Sequence, residues 1–138
     1  MRGGDSMKRV IIAGLIAGFV SGIVYIIFSI SGLFELFSVL PNILPMSAQS
    51  MAIYNIIQGV IWGVIFSTFY AIVYDYVPGT GIKKGFVYGF IIWIIVGLRI
   101  AVIQIVHLYY QFAIPSLITT FFSICITYGL LIGYLYKK

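Results

Sequence analysis

Charge is what this sequence has least of. Of 138 residues only 8% are Asp, Glu, Lys or Arg, against 62% hydrophobic. A soluble domain carries roughly 25% charged residues and about half apolar ones. A chain this small has too much surface for its volume to hide so much apolar area from water. An ordinary water-surrounded globular domain is therefore excluded, as is a disordered segment, which needs the opposite composition. Cysteine is nearly absent: Cys125 stands alone, so there is no disulfide framework. Histidine is as scarce, with His107 the one example. A metal cluster or a six-coordinate haem held within one chain needs more ligands than that. The acids are Asp5, Glu35 and Asp75, on three separate stretches. Paired carboxylates and nucleophile–base couples have no residues to use. No enzyme is expected, and no cofactor or metal.

What is present is apolar sequence in long continuous runs. Four can be delimited, 10–31, 53–77, 85–108 and 116–136. Each reaches the roughly 20 residues that cross about 30 Å of hydrocarbon as a helix. The runs do not alternate, which disfavours strands, and in lipid a helix pairs its own backbone polar groups. Pro78, Gly79 and Gly81 mark a turn, Pro41 and Pro45 bracket the first connection, and Pro115 suits the opening of the last helix. The first run is too long for a signal-peptide core and no small-x-small cleavage site follows it. It reads as a retained helix, with Met7 an alternative start. The expectation is an all-α fold, a four-transmembrane-helix bundle forming a single domain over 1–138.

Small residues predict how such helices meet. Lipid tails are as apolar as leucine, so helices associate through close backbone approach. Gly14, Gly18 and Gly22 form one stripe at intervals of four, Gly59, Gly63 and Ser67 a second, Gly85 and Gly89 a third, Gly129 and Gly133 a fourth. Four stripes imply a tight bundle and a surplus face for oligomerisation.

All the basic residues except Arg99 flank the spans: Arg2, Lys8 and Arg9, then Lys83 and Lys84, then Lys137 and Lys138. Four crossings put these three groups on one side. The positive-inside rule makes that side cytoplasmic, with both termini there and the chain a multi-pass protein of the cell membrane. Lys8, Arg9, Lys83, Lys84, Lys137 and Lys138 are then lipid headgroup contacts, and the net charge of +5 reads as topology and not as a nucleic-acid site. Tyr70, Tyr74, Tyr76, Tyr88, Tyr134 and Tyr136 near one boundary, and Tyr54, Tyr109 and Tyr110 near the other, read as aromatic belts.

Arg99 breaks the pattern. It lies about 20 Å along the third helix from Gly85, in the outer half of the membrane. An arginine there costs roughly 2.5–3.5 kcal/mol on insertion scales unless it finds partners or water. Glu35 is the only acid on that side, and Gln58, Trp62 and Tyr25 lie at comparable depth. Gln104 and His107 stand one turn apart on the third helix, Asn55 and Gln58 share a face of the second, and Thr119, Thr120 and Ser123 occupy the outer half of the fourth. The candidate polar site is thus Arg99, Glu35, Gln58, Gln104 and His107. Three readings are open: Arg99 paired to Glu35 to fix helix register, an outward polar vestibule for an anion or polar solute, and contact with a partner subunit or second copy. The expected function is that of a non-enzymatic membrane protein acting through helix contacts, as a homo-oligomer or an accessory subunit. The alternative is a small transporter or channel centred on Arg99. A haem-bearing oxidoreductase subunit would require His107 to be shared between copies.

The stretch from Gly59 to Arg99 contains Gly59-xxx-Gly63, then Tyr74-Asp75-Tyr76-Val77-Pro78-Gly79, then Lys84-Gly85-Phe86-Val87-Tyr88-Gly89 and Trp93. It resembles small prokaryotic four-span membrane proteins, the YagU-like inner-membrane proteins among them. The resemblance implies the same architecture and brings no activity with it.

Overall fold

The computed structural model describes residues 3–30, 48–106 and 113–136. Among them there are helices and no strands, and four helices are long and apolar enough to cross a membrane. Helix α1 spans Gly3–Ile30, α2 Ala48–Val73, α3 Gly81–Val106 and α4 Ala113–Leu135. The helices begin ahead of the apolar stretches, and α2 ends at Val73, short of the expected 77, where the chain enters the turn. α1 starts at Gly3, ahead of Lys8 and Arg9, and α3 starts at Gly81. Gly79 and Gly81 both take positive φ, +100° and +52°, so the turn between α2 and α3 closes within a few residues. Pro115 falls in the first turn of α4, where its missing N–H costs nothing. The middle of α4, Phe121–Tyr128, is wound as a π-helix. Nothing in an apolar run announces this wider winding, which frequently marks functional segments.

α1 packs against α2, α3 against α4, and α1 also against α4, whereas the backbones of α2 and α3 scarcely approach each other. Glycine sets the close pairs. A Cβ built on Gly63 would lie 2.6 Å from the Cα of Gly18, and one built on Gly133 would lie 2.8 Å from the Cα of Gly85. Neither position has room for a side chain. Reciprocal hydrogen bonds tie α1 to α4: Ser21 Oγ donates to the Ser123 carbonyl and Ser123 Oγ to the Ser21 carbonyl, each at 2.9 Å. Trp93 Nε1 donates to the Leu117 carbonyl at 3.1 Å and fastens α3 to α4.

These contacts leave a long gap between α2 and α3. Val10, Val77, Tyr70, Tyr88 and Tyr136 share one core cluster, so the start of α1, the α2–α3 turn and the end of α4 meet at one end of the bundle. Lys8, Arg9, Lys83 and Lys84 belong to the same end, which is the basic end. There the gap is filled by rings. Tyr70 is wholly buried, with ring centroids 4.8 Å from Tyr88, 5.4 Å from Tyr74 and 5.9 Å from Tyr136. Tyr70, Tyr88 and Tyr136 are therefore core residues and not the boundary belt expected of them, whereas Tyr54, Tyr76 and Tyr134 are exposed. A tyrosine suits the gap because its ring spans what two glycine-closed pairs leave open, while its hydroxyl can reach a backbone carbonyl. Tyr88 Oη donates to the Phe66 carbonyl at 2.6 Å and Tyr128 Oη to the Gly63 carbonyl at 2.9 Å.

Candidate functional site

Beyond Phe66 and Tyr128, toward the end away from the basic residues, the same gap is a cavity of about 540 Å³. α2 lines it from Asn55 through Gln58, Gly59, Trp62 and Gly63 to Phe66, about 16 Å of helix. α3 faces this wall with Ile95, Val96, Arg99 and Ile100. α1 supplies Ser21, Gly22 and Tyr25, and α4 supplies Thr120, Ser123, Ile124 and Tyr128, the last three from its π-helical turns. Sites for small molecules commonly occupy about 300–1,000 Å³ and combine apolar walls with a few polar groups.

The chemistry of the cavity is lopsided. Among the described residues Arg99 is the one charged side chain on its walls, and no carboxylate lines it. Arg99 makes no hydrogen bond or ion pair with another described residue. Several other polar groups are already engaged. Gln58 Nε2 donates to the Tyr54 hydroxyl at 2.7 Å, Thr120 Oγ1 donates to the Ser116 carbonyl at 2.7 Å, and Ser21 and Ser123 bond each other. Trp62 and Phe66 stack with centroids 5.5 Å apart and planes 25° from parallel, and Tyr128 meets Phe66 edge-on at 6.2 Å to form the floor.

Of the residues that stand out in the sequence, Arg99 and Gln58 come together on this cavity, with Tyr25, Trp62, Asn55, Thr120 and Ser123 around them. Gln104 does not line it. Its Nε2 donates to Ser116 Oγ at 2.8 Å, and its Oε1 is buried without a partner among the described residues. Glu35 and His107 lie outside the described residues, so the Arg99–Glu35 pair falls outside them too, as do Lys137 and Lys138. Lys8, Arg9 and Lys83 are exposed at the basic end. Lys84 differs from them: it is only 9% exposed, its Nζ donates to the Tyr74 carbonyl at 2.7 Å, and it sits 4.0 Å from the centroid of the Tyr74 ring. Sequence reasoning misses Tyr128 and the Ser21–Ser123 clasp. The run of hydroxyls at Thr119, Thr120, Ser123 and Thr127 is the signal that points to them.

Four helices long and apolar enough to cross a membrane make this a protein of the multi-pass membrane type, with a polar-headed cleft between α2 and α3, the two neighbours that do not pack on each other. No protein-family model, no curated protein and no solved structure matches the chain. What the cleft can do follows from its own residues.

Proposed function

We propose that this is an integral membrane protein of the transporter or channel class that binds an anionic solute in the cleft between α2 and α3. The observation that carries the reading is Arg99, the single charge, with no acid beside it, that the described residues place on a cavity of about 540 Å³. Arg99 is an exposed residue on the cavity wall, and an ionised side chain within a span is by default a functional group. The basic end is the cytoplasmic one by the positive-inside rule, so the cleft opens outward and the tyrosine cluster closes it inward. A protein working only through helix contacts would want a small-residue face left over for a partner. Within the described residues, the glycines at 14, 18, 22, 59, 63, 85, 89, 97, 129 and 133 all meet atoms of this same chain, which favours the solute reading over the oligomer reading.

The test is saturable binding of radiolabelled benzoate to the purified protein in lipid nanodiscs. Wild type should bind, and Arg99→Gln should weaken binding about tenfold or more while keeping the same circular dichroism and elution volume. Equal binding by the two proteins, or no saturable binding of benzoate, chloride or pyrophosphate by wild type, would refute the proposal.

A further inference from the structure

The cavity is walled on one flank of the bundle and open on the other. Ser21 of α1 and Thr120, Ser123 and Tyr128 of α4 are buried behind it. Gln58 and Trp62 of α2, and Ile95 and Arg99 of α3, line the same space and are exposed. Each of these pairs is one helical turn apart. They form the two lips of the gap, since the backbones of α2 and α3 scarcely approach each other.

The depth of the lips decides what they face. Trp62 stands eleven residues before Val73, where α2 ends, and Ile95 stands eleven residues after Lys84. Both are therefore about 16 Å from the basic boundary, midway through roughly 30 Å of hydrocarbon. At that depth Trp62 is 46% and Ile95 65% exposed. Exposure on the flank of a bundle at mid-membrane is exposure to acyl chains and not to water. Resting on the anion-binding reading above, we infer that the ligand enters sideways from the bilayer and is an anionic lipid of the leaflet on the Arg99 side. Its headgroup meets the guanidinium, and one acyl chain passes between Trp62 and Ile95.

The cleft is graded in the same sense as that leaflet. Arg99 and Gln58 lie about 6 Å further from the basic end than Ile95 and Trp62. Polar groups are thus toward the headgroups, and Ile95, Val96 and Phe66 are toward the middle. A lipid of that leaflet already has its head outward and its chains inward. It can slide into the gap without turning over and without carrying its charge through hydrocarbon, which is the costly step. A guanidinium then meets its phosphate oxygens through paired N–H donors. The chain answers the packing as well. Lipid provides no hydrophobic force to press α2 onto α3, and an empty apolar gap forfeits dispersion contacts that an acyl chain restores. A solute arriving from water needs only the outer mouth, and an opening at mid-depth gives it nothing.

The experiment reads contact between a lipid chain and Trp62 in phosphatidylcholine nanodiscs. Trp93→Phe leaves Trp62 as the sole tryptophan, and bromine atoms on an acyl chain quench its fluorescence on contact. Chain-brominated phosphatidylglycerol should reach Trp62 with an affinity about tenfold or more above that of equally brominated phosphatidylcholine. Arg99→Gln should bring the two lipids level. Unbrominated phosphatidylglycerol should reverse the quenching, whereas sn-glycerol 3-phosphate in the water should not. Native mass spectrometry of the protein without substitutions makes the same comparison, and phosphatidylglycerol should be retained over phosphatidylcholine. Equal quenching and equal retention of the two lipids would overturn the inference. So would a preference for phosphatidylglycerol that persists in folded Arg99→Gln, or reversal by glycerol 3-phosphate as complete as by the lipid, which would make a soluble anion the occupant. In the cases of equal lipids or a soluble occupant, saturable benzoate binding that is lost in Arg99→Gln would still uphold the anion site. Absence of both lipid preference and benzoate binding would remove the two proposals together.

Discussion

The two ends of the gap between α2 and α3 are bounded by the same four helices and filled in opposite ways. At the basic end Tyr70, Tyr74 and Tyr136 meet edge to face, Tyr88 lies tilted against Tyr70, and Lys84 covers the Tyr74 ring. At the other end the rings stop at Phe66 and Tyr128, and the space above them is the Arg99 cavity. The difference does not come from the helix pairs. In both hairpins glycine brings the backbones so close that no side chain fits between them. It comes from residue choice along the unpaired faces, where long rings hydrogen-bonded to opposite backbones give way to Gln58, Asn55 and Arg99. A membrane protein can thus set the depth of a cleft by where its tyrosines end, because lipid supplies no hydrophobic force to collapse whatever is left open.

The comparison breaks most visibly at the floor. Tyr128 is 2% exposed and holds the Gly63 carbonyl, so Tyr128→Ala should cost on the order of 3 kcal/mol, as ring deletions in packed interiors do. Gln58→Ala, at the open end, should change stability by under about 0.5 kcal/mol. Denaturant unfolding in mixed micelles measures both, and equal losses would mean that the two ends are packed alike.

A finer division separates the tyrosine hydroxyls. Tyr88→Phe and Tyr128→Phe each remove a hydrogen bond to a backbone carbonyl on α2 and should cost about 0.6 kcal/mol, and at most about 1.7, the average and maximum for hydrogen bonds between membrane helices. Tyr70 behaves differently, because its hydroxyl is buried without a partner among the described residues. A buried polar group that makes no bond only carries its desolvation cost. Tyr70→Phe should therefore be neutral or raise stability by up to about 1 kcal/mol. A loss of stability as large as that of Tyr88→Phe would show that the Tyr70 hydroxyl has a partner after all.

Much of this architecture is legible in the residues alone. Continuous apolar runs give four helices, and glycines at intervals of four mark the faces that approach closely, since nothing larger fits there. Arg99 and Gln58 can be placed in one half of the bundle by counting turns along their helices. What stays hidden is which way a boundary residue turns. A tyrosine near the end of a span satisfies either an interfacial belt or a buried cluster, and only the gap between α2 and α3 decides that Tyr70, Tyr88 and Tyr136 go inward. Lys84 is hidden for the same reason, because its long stem can snorkel to a headgroup or fold over Tyr74. The π-helical turns of α4 are hidden more deeply, as an unbroken apolar run looks the same whether its carbonyls meet the fourth or the fifth amide along.

The most direct test of a cleft closed at its basic end and open at the other is side-specific thiol labelling. Cys125 is the only cysteine, so Cys125→Ser gives a clean background for Gln58→Cys and, beside the tyrosine cluster, Ala71→Cys. A membrane-impermeant maleimide is added to sealed vesicles that hold a C-terminal tag inside. Gln58→Cys should react and be protected by benzoate, while Ala71→Cys should stay unlabelled. Labelling of Ala71→Cys as fast as Gln58→Cys, or of Gln58→Cys only after the vesicles are opened, would contradict the account.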